Sequence, residues 1–255
     1  MPRAESGGGL VGSAYEESQS MIKPLLKEFD STVVTLGRDA RLPKTIAART
    51  RRIYDVMSTV YPLSTYCFHS RAHKTALEMS GIRNGMRVLE VATGSGEMFR
   101  RLVRANPDGS VVGVDLSPKM AARTFKQVRR EFPKVATHCQ AVDARFLPFQ
   151  DGTFDAVVCC YLLELLAAED IVLTLEEVRR VLRPKGTATI VLIGQNGQTF
   201  NRLYRIATRL APAFWGRQVE RGVPQLMESS RLKIYAEREV LQRGYPSRVV
   251  AARRT

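Results

Sequence analysis

A chain of 255 residues with 44% hydrophobic residues, four cysteines and a net charge of +14 has the apolar content for one α/β domain with extensions. No run reaches the roughly eighteen apolar residues that a membrane-crossing helix needs. The start, Met1-Pro2-Arg3-Ala4-Glu5, lacks the apolar centre of a signal peptide, so the expectation is a cytoplasmic protein with reduced thiols. The positive balance suits nucleic acid, an acidic membrane surface or an anionic substrate, or it reflects an arginine-rich surface alone.

Residues 1–20 are small and polar and are predicted to be disordered. A helical extension is expected over 21–80: a short helix at Met21–Phe29, a basic helical stretch at Arg49–Met57 that Pro62 breaks, and a helix at Ser70–Met79 that Gly81 stops. The α/β pattern begins at Met86. Strands are predicted at Arg87–Val91, Ser110–Val114, Ala136–Ala141, Asp155–Cys160 and Thr187–Ile193. Between them lie a helix with Met98, Phe99, Leu102 and Val103 on one face, and a helix that opens with Ser117 as N-cap and Pro118 in its first turn. A third helix, Glu169–Leu182, offers Leu173, Leu175, Val178 and Val181 as core positions, and Arg183-Pro184-Lys185-Gly186 reads as a turn. Past Gly194 the chain changes character. Phe200, Leu203, Tyr204, Ala207 and Leu210 recur at helical spacing beside Arg202, Arg205 and Arg209, and two last strands are expected at Leu232–Tyr235 and Ser247–Ala251. Strands alternating with helices predict an α/β fold with a doubly wound parallel sheet.

The stretch around which these elements gather is Arg87-Val-Leu-Glu-Val-Ala-Thr-Gly-Ser-Gly-Glu97. A buried strand runs into a glycine turn and then a helix, which leaves backbone N–H groups and a positive helix end facing a ligand. Glu90, Asp115 and Asp143 fall at carboxyl ends of strands, where open parallel sheets bind ligands. Asp115 follows Gly96 at about the twenty-residue spacing at which an acidic side chain meets ribose hydroxyls. A dinucleotide turn would want a third small residue where Phe99 stands, and no Gly-Lys-Ser/Thr follows for a phosphate loop. A tight βα turn of an unrelated α/β protein would read much the same.

More motifs follow in order: Val142-Asp143-Ala144, Leu147-Pro148-Phe149, Phe154-Asp155-Ala156-Val157 and Glu177-Val-Arg-Arg-Val-Leu-Arg-Pro-Lys-Gly186. With Glu90-x-Ala92-x-Gly94-x-Gly96 and Asp115, this series resembles the class I S-adenosylmethionine-dependent methyltransferases. The resemblance covers about Tyr54 to Ile193. It implies a Rossmann-like seven-stranded sheet with its last strand antiparallel, over a domain at 81–255. Residues 195–231 are then a basic amphipathic insertion on the substrate side, and 21–80 a lid over the cofactor. By the same resemblance the Glu90–Gly96 turn, through Glu90, Ala92, Gly94 and Gly96, would hold the methionine end of S-adenosylmethionine. Asp115 would bind the ribose, and Leu116 and Met120 would flank the adenine. Asp143 would accept the adenine amino group beside the backbone of Ala144, and Cys160 and Tyr161 would line the sulfonium side. Ala92 stands where the family's first glycine is common, and Glu90 where Asp is commoner.

The Val-Ala-x-Gly-x-Gly form with Tyr54-Asp55-Val56-Met57 upstream is similar to quinone-biosynthesis C-methyltransferases and bacterial phosphatidylethanolamine N-methyltransferases, which makes Tyr54 a candidate cofactor contact. Methyl transfer from a sulfonium needs alignment and exclusion of water, not a metal or a protein nucleophile. No metal is expected. A base is needed only where the acceptor loses a proton. His69 and His73, four residues apart, are the catalytic candidates, with Tyr61 and Tyr66 near them in the chain. The Asn/Asp-Pro-Pro-Tyr/Phe motif of nucleic-acid amino-methylating enzymes is replaced by Cys159-Cys160-Tyr161-Leu162. A nucleic-acid substrate is therefore disfavoured, although RNA methylation and non-catalytic nucleotide binding stay as alternatives. The expectation is a small, lipid-like acceptor, a phospholipid headgroup or a quinol. The Phe200–Leu210 helix with Phe214 and Trp215 would dock on an anionic bilayer or close over that acceptor. Nothing in the pattern sets an oligomeric state.

Overall fold

A computed structural model describes residues 61–195, 219–242 and 246–255, with side chains from Ser70 onward. The expectations for residues 1–60, Tyr54 among them, and for the helix at Phe200–Leu210 with Phe214 and Trp215 lie outside the described residues.

The chain opens with helix α1 (Tyr61–Met79) and strand β1 (Arg87–Val91), then α2 (Glu97–Ala105) and β2 (Ser110–Asp115). Next come α3 (Pro118–Glu131), β3 (Ala136–Ala141) and β4 (Phe154–Cys160), a short turn of 3-10 helix at Leu163–Leu165, and α4 (Ala168–Val181). It ends with β5 (Leu182–Ile193), α5 (Val223–Ser229), β6 (Leu232–Leu241) and β7 (Pro246–Arg254). The seven strands form one sheet in the order β3-β2-β1-β4-β5-β7-β6. Strands β1 to β5 run parallel, and β7 lies antiparallel between β5 and β6. The strand order reverses between β1 and β4, which opens a crevice at the carboxyl edge there.

Each buried strand divides its side chains between two cores because its period is two. Leu89, Val157, Cys159 and Ile190 pack with Ile171, Leu175, Val178, Val223 and Met227 of α4 and α5. Val88, Ala156, Val158 and Val191 pack on the other face with Ala72, Ala76, Met98, Phe99, Leu102, Ala121 and Val128 of α1 to α3. Burying one such aliphatic side chain contributes about 1.5–3 kcal/mol. Glu90 falls on the second face, two residues beyond Val88.

Four sequence expectations change. Helix α1 begins at Tyr61, with Pro62 inside its first turn, where a missing N–H costs nothing. Leu173 is 41% exposed rather than core, since Ile171, Leu175 and Val178 define the buried stripe of α4 and Leu173 lies about 200° around the helix from Ile171. Arg183–Gly186 is no separate turn: it is a bulge within β5, with Lys185 at φ +65°, and the pairing with β4 jumps from Phe154–Leu182 to Ala156–Thr187. Strands β6 and β7 outrun their predicted ends, because the edge strand β6 carries Lys233, Glu237, Arg238 and Glu239, which hide an apolar pattern.

Candidate active site

The turn after β1 is hung on the end of β2. The N–H groups of Ala92 and Thr93 both donate to the Val114 carbonyl, at 2.8 and 3.1 Å. Gly94 N–H donates to Asp115 Oδ2 at 2.7 Å, and Ser117 N–H to Oδ1 at 2.9 Å. Asp115 thus ties the glycine turn to the first turn of α3. Gly96 starts α2 at φ +80°, and a Cβ there would meet Thr124 Oγ1 at 2.9 Å. Ala92 takes a left-handed conformation at φ 64°, where the family's usual glycine would sit without strain. Gly113, which sequence reasoning passed over, makes room from below: a Cβ would lie 2.5 Å from the Thr93 methyl and 2.9 Å from the Phe99 ring.

Glu90 pairs in register with Gly113 of β2 and Val158 of β4 and is 1% exposed. Burial first, and then the Asp115 carboxylate, push its carboxyl well above the usual range. Its Oε2 has no hydrogen-bond partner among the described residues. An orphaned acceptor beside a glycine turn fits a ligand carrying an ammonium group.

At the next strand end the geometry differs from the expectation of a free acceptor. Both Asp143 oxygens are engaged by Arg145, at 3.0 Å from its N–H and Nε and 2.6 Å from its terminal nitrogen. Arg145 also reaches Asp170 of α4 at 2.9 Å. Ala144 is half-buried against the core beside this pair. Leu116 is half-buried, and Met120 is fully buried in the first turn of α3.

Past β4 a second group of side chains collects. Tyr161 is held at φ 56°, a conformation that non-glycine residues adopt mostly at functional or strained sites. Its hydroxyl is 2.8 Å from Ser247 Oγ and accepts from Gln242 Nε2 at 3.0 Å. Gln242 Oε1 in turn accepts the Ala72 N–H of α1 at 3.2 Å. The His73 ring is buried 6.1 Å from that of Tyr161. So His73, Tyr161 and the partly buried Cys160 come together at the carboxyl end of β4. His69 lies one turn earlier on α1, and its side chain is outside the described residues. Sequence reasoning missed Glu164, buried at 2% exposure beyond β4. Its one signal was an acid inside the apolar run Leu162-Leu163-Glu164-Leu165-Leu166. Among the described residues no cluster of three or more His, Cys, Asp and Glu side chains is arranged to hold a metal.

A methyltransferase-domain family model matches residues 88–186. Over 165 residues the chain is 30% identical to the 2-phytyl-1,4-naphtoquinone methyltransferase of Trichormus variabilis, a match covering 60% of this chain and 70% of that one. The chain belongs to the class I S-adenosylmethionine-dependent methyltransferases. The chain is also 33% identical over 140 residues to the ubiquinone/menaquinone biosynthesis C-methyltransferase of Teredinibacter turnerae, and there it spans about half the relative's length, 54%. The same fold recurs in the magnesium protoporphyrin IX methyltransferase of Synechocystis, solved with bound S-adenosylhomocysteine. That pair aligns with a TM-score of 0.66 at 15% identity, over 83% of this chain and 100% of the other. An N-methyltransferase of Bradyrhizobium japonicum, also with S-adenosylhomocysteine, aligns at TM-score 0.64 and 14% identity over 80% and 98%. The cofactor of the class is S-adenosylmethionine, and no helix among the described residues of the chain is long and apolar enough to cross a membrane.

Proposed function

We propose that this methyltransferase moves the methyl group of S-adenosylmethionine onto a small, lipophilic acceptor of the quinol type. The observation that carries the acceptor class is the likeness, at 30–33% identity, to relatives named for quinone methylation. A phospholipid headgroup is the other small acceptor the sequence suggests.

Bound at the carboxyl edge, the cofactor supplies an electrophilic methyl on a sulfonium. The chain's residues hold and orient it. The orphaned Glu90 oxygen receives its ammonium group, while the backbone of the Gly94–Gly96 turn lines its amino-acid end. Asp115, fixed by Gly94 and Ser117, meets the ribose hydroxyls. Leu116 and Met120 lie along the adenine. Ala144 meets its edge through the backbone, and Asp143 serves the amino group only as far as the Arg145 pair allows. Tyr54, upstream of α1 in the chain, is a further proposed contact to the cofactor. Cys160 and Tyr161 border the methyl, with His73 behind them excluding water and His69 on the same helix.

A methyl-transfer screen tests the acceptor. Prenylated or phytylated benzoquinols and naphthoquinols are offered beside phosphatidylethanolamine vesicles and RNA. Label in the quinol is the expected outcome. Label in the phospholipid alone moves the reading to the headgroup, and label in RNA alone, falling steeply with salt, overturns it.

A further inference from the structure

Glu164 takes no part in the cofactor turn, yet it stands on the same edge of the sheet. Backbone groups two residues apart on a strand face the same neighbour. The Val191 carbonyl accepts the Tyr161 N–H at 2.9 Å, so the Ile193 N–H faces that side too, one step beyond the last residue β4 supplies. Glu164 fills the step: its Oε1 accepts the Ile193 N–H at 2.6 Å. The side chain is buried, and Oε2 has no hydrogen-bond partner among the described residues. Leaving a buried polar atom unpaired is costly, which marks such atoms in native folds as candidates for function. This one lies at the β4–β5 gap, while Gly94 and Asp115 meet at the β1–β2 gap. With the cofactor across β1 and β2, the space beyond β4 and β5 belongs to the acceptor.

We propose that Glu164 is the acid/base group that faces the acceptor, and that the acceptor therefore carries a proton to be lost, as a quinol does. This rests on the methyltransferase reading above. As the acceptor's carbon bonds to the methyl, the carbon–sulfur electron pair stays on sulfur, leaving a neutral sulfide. The acceptor's proton passes to Glu164 Oε2, and the carboxylate becomes a neutral acid that returns the proton to solvent. Burial raises this carboxyl to about 7, against the hydrogen bonds it accepts, so both forms are populated near neutrality, as acid/base work requires. Its titratable neighbours are Cys159 and Cys160 on β4, which also feel Glu90 on β1. Burial, with these carboxylates, pushes both thiols up, so they stay protonated. Beyond β5, Glu220 is paired with Arg248 at 3.1 Å.

Calorimetry of S-adenosylmethionine and S-adenosylhomocysteine binding between about pH 5.5 and 8.5 tests this without an acceptor. An ionised Glu164 near the methyl favours the cationic sulfonium over the neutral sulfide. The wild type is expected to raise its preference for S-adenosylmethionine about tenfold across that range, and Glu164→Gln to hold a flat ratio. With a quinol acceptor, the same variant is expected to lose about a hundredfold in kcat with KM little changed. A flat wild-type ratio overturns the inference alone, and so does a rise that survives in Glu164→Gln, which assigns the rise to Glu90. Failure of the wild type to bind either compound overturns the cofactor reading and the inference with it. Should Glu164→Gln not fold, carboxyl carbon-13 signals of the wild type, assigned against Glu90→Gln, replace it. The Glu164 signal is expected to titrate near 7 with S-adenosylhomocysteine and lower with S-adenosylmethionine, and an unmoved titration overturns the proposal.

Discussion

Buried carboxyl groups set the character of this site. Glu90 and Glu164 each keep one oxygen without a hydrogen bond among the described residues, and burial is the first cause of the raised pKa in both. For Glu164 the carboxyl moves from the usual 4.5 to about 7 in the folded state. The folded chain then holds the proton where the unfolded chain has released it. The stability tied to that proton is complete below about 4.5 and lost as pH rises through about 7, a loss of roughly 3 kcal/mol from 2.5 units at 1.36 kcal/mol each. Urea unfolding at pH 5 and pH 8 reads it. The wild type should lose about 2.5 kcal/mol more between those values than Glu164→Gln, and equal losses would place the carboxyl in an ordinary, hydrated setting. The sequence hid this residue because an acid between leucines has no periodic signature. Asp115 was legible for the opposite reason: its spacing from the glycine turn and its place at a strand end are features of chain order. The orientation of Asp143 was not legible, since Arg145, only two residues on, takes both of its oxygens.

At the scale of elements, strands buried on both faces announced themselves. The apolar runs of β1, β2 and β4 and the Ser117–Pro118 start of α3 sit where the pattern puts them. Elements at the margin did not. The bulge in β5 passes for a turn because Pro184 and Gly186 are turn residues whatever follows them. The loop at 147–151 has no secondary structure to explain its shape, and two side chains of α4 hold it, Glu177 by accepting the Leu147 N–H at 2.7 Å. Arg180 donates to the carbonyls of Leu147 at 2.8 Å and Phe149 at 2.6 Å, while pairing with Glu177 at 2.6 Å and Asp151 at 2.8 Å. Arg180→Met keeps much of the stem and removes these bonds. It should cost about 2 kcal/mol and expose the Leu147–Phe149 segment to early hydrogen exchange. Unchanged denaturation would mean that Phe149, packed edge-on 4.9 Å from Phe154, suffices to hold the loop.

For the whole molecule, the parallel sheet that reverses between β1 and β4 decides where ligands go, and the antiparallel β7 completes the sheet beyond β5. That architecture was readable from alternating strands and helices together with a family resemblance, because the order of buried segments fixes which connections are possible. The acceptor was not readable, because the family keeps its cofactor end on strand-end motifs and its acceptor end on loops and helices of variable sequence. The charge of +14 sets long-range attraction for anions and leaves the chemistry to the site. The central claim is that the β1 turn and Asp115 together form the cofactor site. Calorimetric titration of wild type and Asp115→Ala with S-adenosylmethionine and S-adenosylhomocysteine tests it most directly. The account predicts micromolar binding of both by the wild type and at least tenfold weaker binding by a folded Asp115→Ala, about 1.4 kcal/mol. Equal affinities in the two proteins, or no binding by a folded wild type, would contradict it.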